Sequence, residues 1–126
     1  MRTNMHDYMF ELKGRIPSKK NSRITLRNGR TIPSKAYTEW HKIAEEQLIG
    51  LENEGLDEPL SIRYDFYLPD RRRTDLSNKI ESVNDLLVDI GFITDDNANI
   101  LSTLHVYYRG VDKENPRCEI GVSRQS

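Results

Sequence analysis

The sequence predicts an α/β (α+β) fold: a single domain over residues 1–126 with two main helices packed on one face of a mixed sheet. Three observations support this. Leu60–Leu68, LSIRYDFYL, alternates apolar and polar residues as a half-buried strand does. Residues 34–51 and 76–90 space their apolar residues by three and four, the period of a helix with one buried side. Strand-like segments flank these at both ends of the chain, in the order β, β, α, β, α, β, β.

Taken in order, residues 8–16 (YMFELKGRI) have strand composition and stop at Pro17, before the polar loop SKKNSR. Residues 24–32 read as a hairpin, because Asn28-Gly29 supplies the positive φ angles of a tight turn. In residues 34–51, Tyr37, Trp40, Ile43, Ala44, Leu48 and Leu51 form an apolar helical face, best assigned to the core. Pro69-Asp70 ends the strand that follows. Residues 76–90 carry the stripe Leu76, Ile80, Val83, Leu87 and Ile90, with Gly91 placed as a C-terminal cap. Residues 99–109 and 117–124 read as the last two strands, joined by a turn over 112–116.

Charged residues make up 31% of the chain, but the net charge is −1, so bulk charge does not announce a nucleic-acid binder. The charges are separated, however. Basic residues gather at 15–30 and 71–73 and acids at 45–58 and 85–96, so one face can still be cationic towards DNA. Cys118 is the single cysteine, which excludes an intrachain disulfide and suits a reducing compartment. The opening MRTNMHDYMFELKG has no apolar run of signal or membrane length, so the expected location is cytoplasmic, with no membrane partner. No Ser-His-Asp order, phosphate-binding loop, dinucleotide fingerprint or zinc pattern is present. His6, His41 and His105 show no ligand spacing and are assigned to packing or the surface.

The chemistry concentrates in residues 71–97, RRRTDLSNKIESVNDLLVDIGFITDDN. Arg71, Arg72 and Arg73 precede the second helix, Asp75 stands at its mouth, and Asp95 and Asp96 follow its end. Cations that grip phosphate, beside carboxylates that hold a hard metal, are the two ingredients of metal-assisted phosphodiester hydrolysis. Each has an ordinary reading as well. Thr74, Asp75 and Ser77 compete as helix N-caps, Asp95 and Asp96 suit a turn, and an arginine triplet is often a solvated run. If residues 75–77 remain extended, Asp75 and Ser77 point to the same side. Lys19, Lys20 and Asn21 form a second loop able to track a phosphate backbone.

Reach sets a further expectation. A fifteen-residue helix is about 22 Å long, and the residues from Gly91 to Asp96 span at most roughly 20 Å. Asp96 therefore barely meets Asp75 of its own chain. An antiparallel helix from a second copy removes the difficulty, so a twofold homodimer with two composite metal sites is expected.

Residues 71–100 resemble the RusA family of Holliday junction resolvases (crossover junction endodeoxyribonucleases). The likeness lies in the arginine-rich approach, in Asp75-Leu76-Ser77-Asn78 at the place of a D-L-D-N-like motif opening a helix, and in the later Asp95-Asp96 pair. GRIPSKKNSR is similar, more loosely, to the family's opening. The resemblance implies a homodimeric, Mg²⁺-dependent endonuclease (Mn²⁺ being the other candidate ion) that nicks four-way DNA junctions symmetrically in recombination and repair. It implies Asp75 and Asp96 as metal ligands, with Asp95 and Ser77 beside them, and Asn78 as the motif asparagine. Two departures stand out: Ser77 replaces the second motif aspartate, and Glu81 stands where the family has lysine. Lys79, one turn from Asp75, is the substitute expected to stabilise phosphate charge. The rival expectation is a non-catalytic or weakened branched-DNA-binding protein on the same scaffold.

Overall fold

In a computed structural model describing residues 6–18 and 23–125, the alternation of Leu60–Leu68 becomes the strand around which the others assemble. In chain order the elements are β1 (Tyr8–Lys13), β2 (Arg23–Thr25), β3 (Thr31–Pro33), α1 (Lys35–Gln47), β4 (Leu60–Leu68), α2 (Leu76–Asp89), β5 (Leu101–Val111) and β6 (Arg117–Arg124). The main sheet runs β1-β6-β4-β5, while β2 and β3 form a separate two-stranded ribbon. β4 pairs in parallel with β5 and antiparallel with β6, and β6 in turn pairs antiparallel with β1. The fold is thus mixed α+β. Parallel neighbours need a long crossover, and α2 supplies it between β4 and β5.

Register explains the core. Ile62, Tyr64 and Phe66 of β4 stand opposite Val122, Ile120 and Cys118 of β6. These residues are buried in one cluster with Leu12 of β1, Ala44 of α1, and Val83, Leu86 and Leu87 of α2. Burial pushes the Cys118 thiol far above its usual range, so it is an inert core group. The alternate residues of β4 face the other way, where Asp65 lies opposite Glu119. That like-charge pairing is offset by Arg63 and Arg109 on Asp65, at 2.9 and 2.7 Å, and by Arg117 on Glu119, at 2.8 Å.

Local signals account for the ends of the elements. Ser34 caps α1, its Oγ accepting from Tyr37 N at 3.1 Å. This helix stops at Gln47, short of the expected residue 51, and its apolar tail continues in turns through Leu48 and Leu51. The expected 8–16 strand ends at Lys13, because Gly14 turns the chain with φ +87°. β5 begins two residues later than the expected 99 and runs on to Val111. The hairpin forms where expected, around Gly29 at φ +89°.

α2 ends as its sequence indicates, with Gly91 in the left-handed region at φ +80°. The turn beyond it is laced to the segment after α1: Asn53 N donates to Ile90 O, Gly55 N to Gly91 O and Leu56 N to Phe92 O, at 3.0, 2.8 and 2.9 Å. A Cβ on Gly91 would press to within 3.0–3.3 Å of Asn53 in a backbone conformation that side chains rarely adopt, so any other residue there is crowded and strained. This lacing holds the approach to Asp95 and Asp96.

β5 is an edge strand whose apolar side the helices leave uncovered. Leu104, Val106 and Tyr108 are paired with Ile62, Tyr64 and Phe66, yet all three are exposed. Among the described residues, no helix is long and apolar enough to cross a membrane.

Candidate metal and DNA-binding site

Asp75 occupies the N-cap position of α2 in extended backbone (φ −101°, ψ 119°), but its carboxylate makes no capping hydrogen bond. The ordinary assignment as a cap therefore leaves its oxygens unexplained. They line an open cleft with Ser18, Arg73, Thr74 and Asn78. Asn78 N donates to the main-chain oxygen of Asp75 at 3.2 Å, which seats Asn78 in the first turn. That turn holds no acidic residue, so the Asp75 carboxylate at the N-cap is what faces the positive end of the helix here.

Ser77 departs from expectation. It lies within α2 rather than in extended chain, so the two-residue alternation that would align it with Asp75 does not apply. The helix starts at Leu76 because the stripe of Leu76, Ile80 and Val83 is packed on the sheet from its first turn.

The arginine triplet forms an exposed strap between β4 and α2. Arg72 is partly committed: its Nε donates to Asp70 at 3.1 Å, and its main-chain N donates to the same carboxylate at 3.0 Å. Arg15 clasps Asp70 from the other side. The Arg72 main-chain bond first, and then the two guanidinium groups, hold Asp70 below the usual carboxylate range. Arg71 and Arg73 make no ion pair among the described residues, which leaves both for a polyanion. With Leu68, Thr74 and Leu76, the strap walls a second cleft closed by Tyr108, 56% exposed. Cations interleaved with an exposed ring suit a nucleic-acid strand.

Lys79 is not presented to this surface. It is 3% exposed, and its Nζ donates to the carbonyl of Ile16 at 2.5 Å. Burial, and then the charge of Arg15, lower its pKa. One turn further, Ser82 Oγ donates to Pro17 O at 2.7 Å. Together they staple residues 16–17 to α2 and bring Ser18 to the Asp75 cleft. The expected direct approach of Lys79 to phosphate gives way to a positioning role. Lys19, Lys20 and Asn21 follow Ser18 and lie outside the described residues.

Asp95 and Asp96 behave differently from one another. Asp95 closes a turn, its two oxygens accepting from Asp96 N at 2.7 Å and Asn97 Nδ2 at 3.1 Å. Asp96 is exposed and its carboxylate makes no hydrogen bond among the described residues. It adds to the rise in the Tyr64 hydroxyl pKa, which burial mainly causes, so its charge lies near the Tyr64–Asn84 bond of 2.5 Å inside the fold. Asp75, Asp95 and Asp96 do not come together as a metal-ligating group within the chain. Asp75 stays at the start of α2, a helix of 14 residues.

The group that does assemble among the described residues is His41, Asp85 and Asp89, on α1 and α2. The sequence assignment of His41 to packing or surface missed it. The available signal was a pair of i, i+4 spacings, His41/Glu45 and Asp85/Asp89, on separate helices. Asp70, Ser18 and Tyr108 were also missed, and no local pattern marks them.

The family model described as Endodeoxyribonuclease RusA matches residues 14–123, nearly the whole chain. No individual curated protein matches the sequence.

Proposed function

The chain belongs to the endodeoxyribonuclease RusA family, and on that premise we propose that it is a metal-dependent endonuclease that resolves four-way DNA junctions by paired nicks. The observation carrying this reading is Asp75. A residue at an N-cap whose carboxylate leaves the cap unmade, in a cleft it shares with Arg73, which has no ion pair among the described residues, suits an ion and a phosphate.

The donor set fits a hard divalent cation. Asp75 and Asp96 both offer carboxylate oxygens not engaged in side-chain hydrogen bonds among the described residues, and these would hold Mg²⁺ or Mn²⁺, with Asp95 adjacent. When bound, the ion supplies Lewis acidity at the phosphate and an acidified water. The remaining work belongs to the chain. Arg71 and Arg73 attract and orient the backbone, Asn78 and the first amides of α2 face its oxygens, and Tyr108 offers a ring to a splayed base. Lys79 keeps residues 16–18 in place at the rim, and Lys19, Lys20 and Asn21, which follow in the sequence, are included in the proposal as phosphate contacts. Ser77 brings no charge, so the site relies on two aspartates where the family motif supplies a further one.

Because Asp96 barely reaches Asp75 of its own chain on the length of α2 and of the segment after it, the proposal includes a twofold homodimer that joins Asp75 of one copy with Asp96 of the other. The uncovered row Leu104, Val106 and Tyr108, on an edge strand beside α2, supports such a partner, since exposed apolar edges are otherwise liabilities. Two such sites in one particle match two nicks across a junction. Incubating the protein with a synthetic four-way junction, with and without Mg²⁺ and alongside Asp75→Asn, tests the reading. Symmetric nicks that need the metal and vanish in the variant support it. A mobility shift with no cutting by the unsubstituted protein assigns a DNA-binding role instead.

A further inference from the structure

We propose that His41, Asp85 and Asp89 form a second metal site, for a transition ion of the zinc class, bridging α1 and α2 and separate from Asp75 and Asp96. One donor atom from each of the three residues lies within 4.8 Å of the others. Ligands bonded to zinc at about 2.0–2.2 Å sit roughly 3.5 Å apart, so small side-chain rotations close the set around an ion.

The surroundings carry the argument beyond proximity. His41 Nε2 points at Asp89 Oδ2, 2.9 Å away, while Nδ1 faces Glu45 Oε1 at 3.6 Å. An ion taken by Nε2 leaves the Nδ1 proton for Glu45, the carboxylate–histidine arrangement that fixes ligand tautomer and raises basicity at metal centres. Asp85 is oriented in the same manner: Tyr37 OH donates to its Oδ2 at 3.2 Å. Burial, and then the Asp85 charge, push the Tyr37 hydroxyl well above its usual range, so it remains a donor. Two of the three ligands thus have an outer partner, Glu45 for the imidazole and Tyr37 for the Asp85 carboxylate.

Helical spacing produces the arrangement. His41 and Glu45 are one turn apart on α1, and Asp85 and Asp89 one turn apart on α2, so each pair projects from one face of its helix. An imidazole with two carboxylates selects Zn²⁺, Co²⁺ or Ni²⁺ over Mg²⁺, which prefers oxygen alone. Three protein ligands leave a position open towards the cleft bordered by Thr38 and Lys42. The bound ion would clamp α1 against α2.

The test is calorimetric titration of metal-stripped protein with Zn²⁺, paired with the visible spectrum of the Co²⁺ form. One ion per chain is expected, with a tetrahedral or five-coordinate cobalt spectrum and a melting midpoint raised by roughly 10 °C at a hundredfold excess over Kd. His41→Ala and Asp89→Asn should abolish binding, and Glu45→Gln should weaken it roughly tenfold or more. Asp75→Asn should bind Zn²⁺ unchanged even where junction cleavage is lost, so failure of either site is visible by itself. Should the histidine and aspartate variants unfold, anomalous scattering from a zinc-soaked crystal decides by the presence or absence of a peak at His41 Nε2. No binding, affinity unaltered in both variants, or no peak overturns the proposal and leaves the cluster as an ion-pair network.

Discussion

Lys79 Nζ and the main-chain oxygen of Ile16, 2.5 Å apart, join two segments 63 residues distant in sequence. The bond converts a helix lysine beside Asp75 into the anchor for the chain that reaches Ser18. Replacing Lys79 by methionine keeps the packing but leaves a buried carbonyl without its donor, at a cost of about 1–3 kcal/mol. The variant should therefore lose junction affinity as well as stability. The sign with pH is distinctive. The folded-state pKa lies below the ordinary lysine value of 10.5, so this group's contribution to stability grows as pH rises towards 10.5. Denaturant titrations across alkaline pH should show that rise in the parent and lose it in Lys79→Met.

Asp75→Asn and Asp96→Asn should each abolish nicking. In an equimolar mixture of the two, exchanged dimers contain one site with both aspartates intact, and partial cleavage should return. Sites contained within one chain would give no recovery at all. Because the Asp75 carboxylate makes no capping bond, its replacement should alter stability by less than about 0.5 kcal/mol.

Among the described residues Arg71 and Arg73 stand free of ion pairs, whereas Arg72 is engaged with Asp70. Changing either free arginine to alanine should reduce the slope of log affinity against log salt by about 0.9 for each phosphate it no longer neutralises. Arg72→Ala should lose less affinity than either, and it should release Asp70 to Arg15 alone. Fluorescence anisotropy on a labelled junction over a salt series measures all three.

Asp65, 8% exposed, resists its own burial through Arg63 and Arg109, and its pKa falls below the ordinary 3.8. Its stabilisation is complete above 3.8 and disappears as pH falls through the lower folded-state value. Asp65→Asn should cost about 1–3 kcal/mol at neutral pH. In acid-unfolding curves the stability of that variant should decline less steeply below pH 3.8 than the parent's.

Legibility followed distance along the chain. The strand Leu60–Leu68 and the helix starting at Leu76 were readable because burial repeats every second residue in one and every third or fourth in the other. Gly91 and Gly29 were readable because positive φ favours glycine, although Asn28 itself does not take the positive φ expected of it. The site was legible as a set of charges around α2 but not as a geometry. The turn at Asp95 was legible because its partners lie one and two residues away, but nothing local says that Lys79 turns inward to Ile16 or that Arg15 joins Arg72 on Asp70.

By itself, the order of residues determined the strands, the helices, the family and the window that carries the candidate chemistry. These depend on side-chain periodicity and on motif spacing within about thirty residues. Packing alone decided which charges remain available. Lys79 meets Ile16, His41 meets Asp89, and Leu104, Val106 and Tyr108 stay uncovered because of how α1 and α2 settle on the sheet. A hydrogen bond or ion pair forms where two groups are brought within reach, and for groups far apart in the chain the folded arrangement sets that reach.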